Sequence, residues 1–180
     1  MRLWALLLWV VCSASWASIG SVVDSTGTAV IKRGKETIAV SKGTAIEMND
    51  RVETKNGVVN IKFKDDTSVK VTESSSLVID DFVYDPKNAA GGKLSLKAAA
   101  GTVRYVSGNI AHNNPNSVKI NTPTATIAVR GTDFTATVDE IGRSTVILLP
   151  ACPKGWIDIE KDCVTGKIEV ITDEGRVIMN

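Results

Sequence analysis

Turn-forming residues punctuate this chain so often that little else can be built between them. Gly34, Gly43, Asn49-Asp50, Asn56-Gly57, Asp65-Asp66 and Ser74–Ser76 recur at intervals of roughly seven to nine residues. An interval of that length holds a short strand but not an ordinary helix. Between the breaks the apolar residues alternate. Val59, Ile61 and Phe63 interleave with Asn60, Lys62 and Lys64, and Val69 and Val71 open the next run. That period of two is a strand with one wet face. No segment sustains the 3.6-residue period of an amphipathic helix. Lys97-Ala98-Ala99-Ala100 could make one helical turn, which Gly101 would stop. Asn56-Gly57, set between apolar runs, is the strongest hairpin signal. Valine, isoleucine and threonine suit a pleated surface. The expected class is therefore all-β, a compact domain of short strands. The pattern alone fits either a β-sandwich or a coil of strands such as a β-helix.

The first 17 residues stand apart. Arg2 precedes an apolar run from Leu3 to Val11, and Ser15-Trp16-Ala17 places small residues at the two positions a signal peptidase reads. This predicts a secretory signal over 1–17, with an apolar core too short to span a bilayer. The chain is expected to be exported, periplasmic or extracellular, after cleavage at about Ala17/Ser18, with no transmembrane anchor in the mature part. Val11 before Cys12 argues against a lipoprotein. Losing 1–17 takes Arg2 from the 21 basic residues and leaves 20 against 20 acidic. A balanced, interspersed charge offers no electrostatic footprint for nucleic acid.

The stretch Asp85–Gly92 (DPKNAAGG) carries too many breakers to hold a strand and reads as the one long loop. It separates two β-rich halves. Neither is expected to bury a core alone, so residues 18–180 are read as one domain. With Cys12 gone, Cys152 and Cys163 form an even pair in an exported chain, the pattern of a disulfide closing a C-terminal hairpin loop. Trp156 lies on that loop, where it could contact a partner or cover the end of the core.

In "NTPTATIAVRGTDFTATV", residues 121–138, the apolar parity changes. Ile127 and Val129 hold odd positions, whereas Phe134, Ala136 and Val138 hold even ones. A strand cannot change faces without an extra residue or a corner. Gly131 lies inside the switch, so Arg130, Gly131, Thr132 and Asp133 are read as a structural corner. Arg130 as a ligand clamp is the alternative.

Three segments add a resemblance. "VNIKFKDDTSVKVTESSSLVIDDFVYDP", "GTVRYVSGNI" and "VKINTPTATIAVRGTDF", in that order, resemble the FecR domain, and most of all its stand-alone exported forms with FVYDP and TP…RGT segments. The likeness runs over about 21–138, leaving 139–180 as a β extension. Asp66-Thr67-Ser68 stands where that family usually has Asp-Gly-Ser, and Ala128 where it usually has glycine. The resemblance implies an extracytoplasmic β-helix-like or β-roll domain. It does not bring control of a sigma factor, because the family's anti-sigma region and membrane helix have no counterpart here.

Chemistry is thinly represented. His112, the one histidine, sits in the polar turn-like stretch AHNNPNSV with no nucleophile elbow anywhere. Asp80, Asp81 and Asp85 form the densest acidic group, without calcium-loop spacing. Gly91-Gly92 lacks the Lys-Ser/Thr of a phosphate loop. No enzyme activity, cofactor or metal is expected. The sequence points to a protein-interaction or sensing module of the cell envelope, with an envelope or extracellular partner or self-association. The alternative is a structural subunit of an extracellular, surface or viral assembly.

Overall fold

The computed structural model describes residues 18–88, 91–150, 152 and 163–180. Residues 1–17, expected to be a signal segment, and Trp156 lie outside the described residues. The described residues form fifteen strands and one helical turn, and all these strands join one continuous sheet. The all-β expectation therefore holds. No helix among the described residues is long and apolar enough to cross a membrane.

The sheet folds over into two layers that share a single strand. One layer contains β1 (Gly20–Thr26), β4 (Ala45–Ile46), β6 (Val58–Phe63), β7 (Ser68–Val71), β12 (Asp133–Val138) and β13 (Ser144–Leu149). The other contains β2 (Ala29–Arg33), β3 (Glu36–Ala39), β5 (Arg51–Thr54), β8 (Ser76–Val83), β10 (Val118–Asn121), β11 (Thr126–Arg130), β14 (Lys167–Thr172) and β15 (Gly175–Met179). Strand β9 (Lys93–Val106) serves both. Its first half pairs with β8 and β10, its second half with β7 and β12. Only the β9–β10 pair is parallel among the described ladders. Of the forms that the sequence left open, this antiparallel, folded-over sheet is a roll.

One apolar cluster fills the space between the layers. It takes Val59, Ile61, Phe63 and Val69 from one side and Ile31, Leu77, Ile79, Leu96, Ile120 and Ile127 from the other. The rings of Phe63 and Phe82 stack across the layers at 5.6 Å. The cluster draws on residues both before and after the 85–92 loop.

The chain passes between layers repeatedly, and four crossings lie side by side: Gly27–Thr28, Lys55–Gly57, Thr72–Ser75 and Gly101. They are hydrogen-bonded in sequence. Lys55 N–H donates to Thr28 O (3.0 Å), Ser74 N–H to Lys55 O (2.8 Å), and Thr102 N–H to Ser75 Oγ (2.9 Å). Here the hairpin reading of Asn56-Gly57 is corrected. Strands β5 and β6 do not pair with each other; β5 pairs with β2 and β8, and β6 with β1 and β7. The glycine is needed for close approach instead, since a Cβ on Gly57 would fall 2.5 Å from Thr26 O and 2.8 Å from Thr28 N. A hairpin and a crossing want the same residues, and tertiary pairing chose the crossing.

Two further local readings change. Lys97–Ala100 is strand, part of β9, because both its neighbours are strands that it must join. The turn-like stretch around His112 instead begins with the helical turn α1 (Asn109–Asn113), with His112 exposed. The left-handed residue of the β6–β7 turn is Asp66 (φ 68°), inside the Asp65-Asp66 turn signal read from the sequence. Ala128 lies in regular ladder, opposite Lys119 and Glu169, and makes no turn.

Candidate functional site

Between β11 and β12 the chain leaves one layer and enters the other through Gly131 and Thr132. Gly131 has φ +69°, where a β-branched side chain is strained, and a Cβ there would stand 3.2 Å from His112 Nδ1. Ser107 fastens the passage from the neighbouring chain. Its Oγ accepts from Thr132 N–H (2.8 Å), and its own N–H and hydroxyl donate to Thr132 O at 3.1 and 2.9 Å. Asp133 receives two bonds from Arg104, one of them from Nε at 3.0 Å. This contact raises the Arg104 pKa above its ordinary value. Arg130 reaches a carboxylate, Glu169, at 3.5 Å, and Arg176 holds the other oxygen of the same group at 2.8 Å. All four sequence-chosen residues thus sit at one bend, with the two charged ones occupied by neighbours within the fold.

The acidic group does not converge. Asp80 is bonded to Lys97 and Ser95, Asp81 to Lys93, and Asp85 accepts the N–H of Lys87 in its own turn. The Asp80 carboxyl is held below its usual pKa, first by Lys97. A groove of about 480 Å³ runs past Asp80, Asp81, Ser95 and Lys119. Its two aspartates are already neutralised by lysines. Among the described residues no three potential metal ligands come together. His112 lies beside Gly131 and does not line that groove.

A second polar centre was not visible in the residue pattern. Arg33 donates to both oxygens of Asp50 at 2.8 Å, to Glu47 at 2.6 Å and to Ala45 O at 2.9 Å. The Asp50 side chain is fully buried, and it also accepts Glu47 N–H at 2.8 Å. The hydrogen bonds that Arg33 donates to Asp50 raise the Arg33 pKa. The cluster locks the β4–β5 turn onto the end of β2. Asn49-Asp50 was visible as a turn signal, but nothing in the pattern named its partner 17 residues earlier.

What the fold leaves open is its edges. Among the described residues, strands β3, β4, β13 and β15 each pair on one side only. Strand β4 is only two residues long, and β3 carries its single charge, Glu36, at its turn end. Strand β13 (STVILL) has no charge at all, and β15 (GRVIM) has only Arg176. Eight large apolar residues are exposed among those described, and Ile141, Ile147, Val164, Val177 and Ile178 all lie toward the C-terminal end. A shallow groove of about 410 Å³ separates β13 from the end of β14, lined by Val146 and Val170 with the Pro123–Ala125 turn. Cys152 and Cys163 follow, their sulfurs 2.01 Å apart across 11 positions.

In this all-β roll many charged and hydroxyl side chains are engaged at turns and bends, and large apolar side chains are exposed toward the C-terminal end. The chain belongs to the FecR family: the family model described as FecR protein matches residues 50–150. That match starts later than the likeness read from the sequence and runs on through β13. No curated protein and no solved structure matches the chain.

Proposed function

We propose that this FecR-family protein is an exported, non-catalytic interaction module of the cell envelope. It docks a partner strand on an open sheet edge. The observation that carries the reading is the pair of unguarded edges β13 and β15, with Ile147, Val177 and Ile178 more than half exposed beside them. An edge strand offers a row of unpaired backbone groups, and adding a strand to such an edge is a recurrent mode of recognition. Membership of a family of envelope regulators supports the coarse role, and the signal segment at 1–17 supports export.

The test is partner capture from native envelope with the mature protein as bait. Main-chain pairing should survive a rise from low to moderate salt and should be indifferent to Lys119→Glu, on an exposed face. It should be lost in Ile178→Pro, which removes one edge N–H. Collapse of capture with salt, or turnover of a glycan or ester by the purified protein, would overturn the reading. Intact-mass measurement on exported protein should give a chain starting at Ser18; a retained Met1 or a lipid on Cys12 would refute the export route.

A further inference from the structure

We infer that the occupant of the β15 edge is a second copy of this chain, joined head to tail through its β3 edge. The proposal rests on the edge-docking reading above and names its partner.

The hydrogen-bonding frame follows from the two hairpins. Val40 N–H donates to Ala29 O at 3.1 Å, in register with the pairs Ile31–Ile38 and Arg33–Glu36. Residues 36, 38 and 40 therefore turn their backbone groups toward β2, leaving those of Thr37 and Ala39 on the free side, before the Ser41–Thr44 turn takes up the backbone of Ser41. The β14–β15 hairpin closes on Thr172–Gly175 around Asp173-Glu174. That directs Gly175, Val177 and Met179 toward β14, and leaves Glu174, Arg176 and Ile178 facing outward.

An antiparallel joint can satisfy both frames at once. Thr37 opposite Ile178 of the second copy, with Ala39 opposite Arg176, pairs outward groups with outward groups. In that register Ile38 meets Val177. Both lie on the inner face, since Ile38 packs on the core and Val177 pairs with Val170, which also packs on it. Val177 is 62 % exposed in the single chain, so the joint covers a residue that the fold leaves bare. Past the end of β3, the Ser41–Thr44 turn that carries Lys42 follows on the side of the acidic Asp173-Glu174 turn, a match of opposite charge. Arg176 is held in place beforehand by Glu169 at 2.8 Å.

Pairing an edge with its own copy does less. Two β15 edges in the same frame put Arg176 diagonally across from its twin, and either like-with-like joint leaves the other edge uncovered. Two different surfaces meeting head to tail do not close on themselves, so the expected product is an open series of oligomers.

Sedimentation of the mature protein over a range of concentrations tests this. Wild type should give a ladder of species growing with concentration. Ile178→Pro should be monomeric, with the β14–β15 frame spared. Lys42→Glu and Asp173→Lys should each require about tenfold higher concentration to assemble, and the double swap should restore assembly. Mixed Thr37→Cys and Ile178→Cys chains should cross-link to each other, while neither cross-links to itself. A monomer at all concentrations, a closed dimer, or a double swap that rescues nothing would overturn the proposal. If the protein stays monomeric but Ile178→Pro still abolishes envelope capture, edge docking stands and only the second copy fails.

Discussion

Replacing Gly101 with alanine probes the crossings most directly. At this residue β9 passes from one layer to the other with φ +77°, and an added Cβ would lie 2.1 Å from Ser75 Oγ and 2.6 Å from both Ser74 O and Ser75 Cα. The left-handed conformation alone costs an L-residue about 1–2 kcal/mol. The clash is not one a side chain can avoid by turning, since two of the three atoms are backbone. Ser75 Oγ is itself committed, donating to Glu73 O at 3.0 Å and accepting Thr102 N–H at 2.9 Å. Overpacking of this kind costs about 1–3 kcal/mol. Alanine recovers about 0.4–1 kcal/mol by restricting the unfolded chain. The net expectation is a loss of about 2–4 kcal/mol. Gly34→Ala is the control, because Gly34 has φ +59° but nothing within 4 Å of an added Cβ. It should lose about 1 kcal/mol or less. Urea unfolding of both variants, followed by circular dichroism, gives the difference. Equal losses would mean that the crossings are loosely stacked and that only backbone conformation matters.

Asp50→Ala should lose about 2–3 kcal/mol in the same assay, because it strips a buried acceptor from Arg33 and from Glu47 N–H; a loss below about 0.5 kcal/mol would refute the role given to that cluster. Reducing Cys152–Cys163 should lower stability by no more than about 3 kcal/mol, the chain-entropy value for so short a loop. Thiol labelling of unreduced, denatured protein should find no free cysteine in the mature chain. Acid should destabilise the fold. Asp66, Asp80 and Asp139 have carboxyls held below the ordinary value by Lys62, Lys97 and Arg143, so what they contribute is complete above about pH 4 and lost as pH falls further. A melting midpoint higher at pH 3 than at pH 6 would contradict that sign.

What the sequence made legible was local. Alternation over Val59–Phe63 is visible because a strand repeats every two residues, and the parity change from Val129 to Phe134 coincides with the passage from β11 to β12. The same rule could not tell a hairpin from a crossing at Asn56-Gly57, since both demand compact, permissive residues and only the partners differ. The helical turn at Asn109–Asn113 is too short to show a period. The Arg33–Asp50 lock joins residues far apart in a pattern that marks each only as polar. Edge status was least visible of all. Nothing within STVILL or GRVIM says that its second side will be empty, because being last in a sheet is decided by every other strand.

The double duty of β9 makes the protein a clasp with one pin. A nick in the Asp85–Gly92 loop would yield a piece ending before β9 and a piece beginning with it. The first would have lost the strand that β7 and β8 both need, and the second would carry that strand with half its partners gone. Neither piece is a smaller copy of the whole. Each is the other's missing part, so two separately made fragments should recognise one another and rebuild the roll without a peptide bond between them.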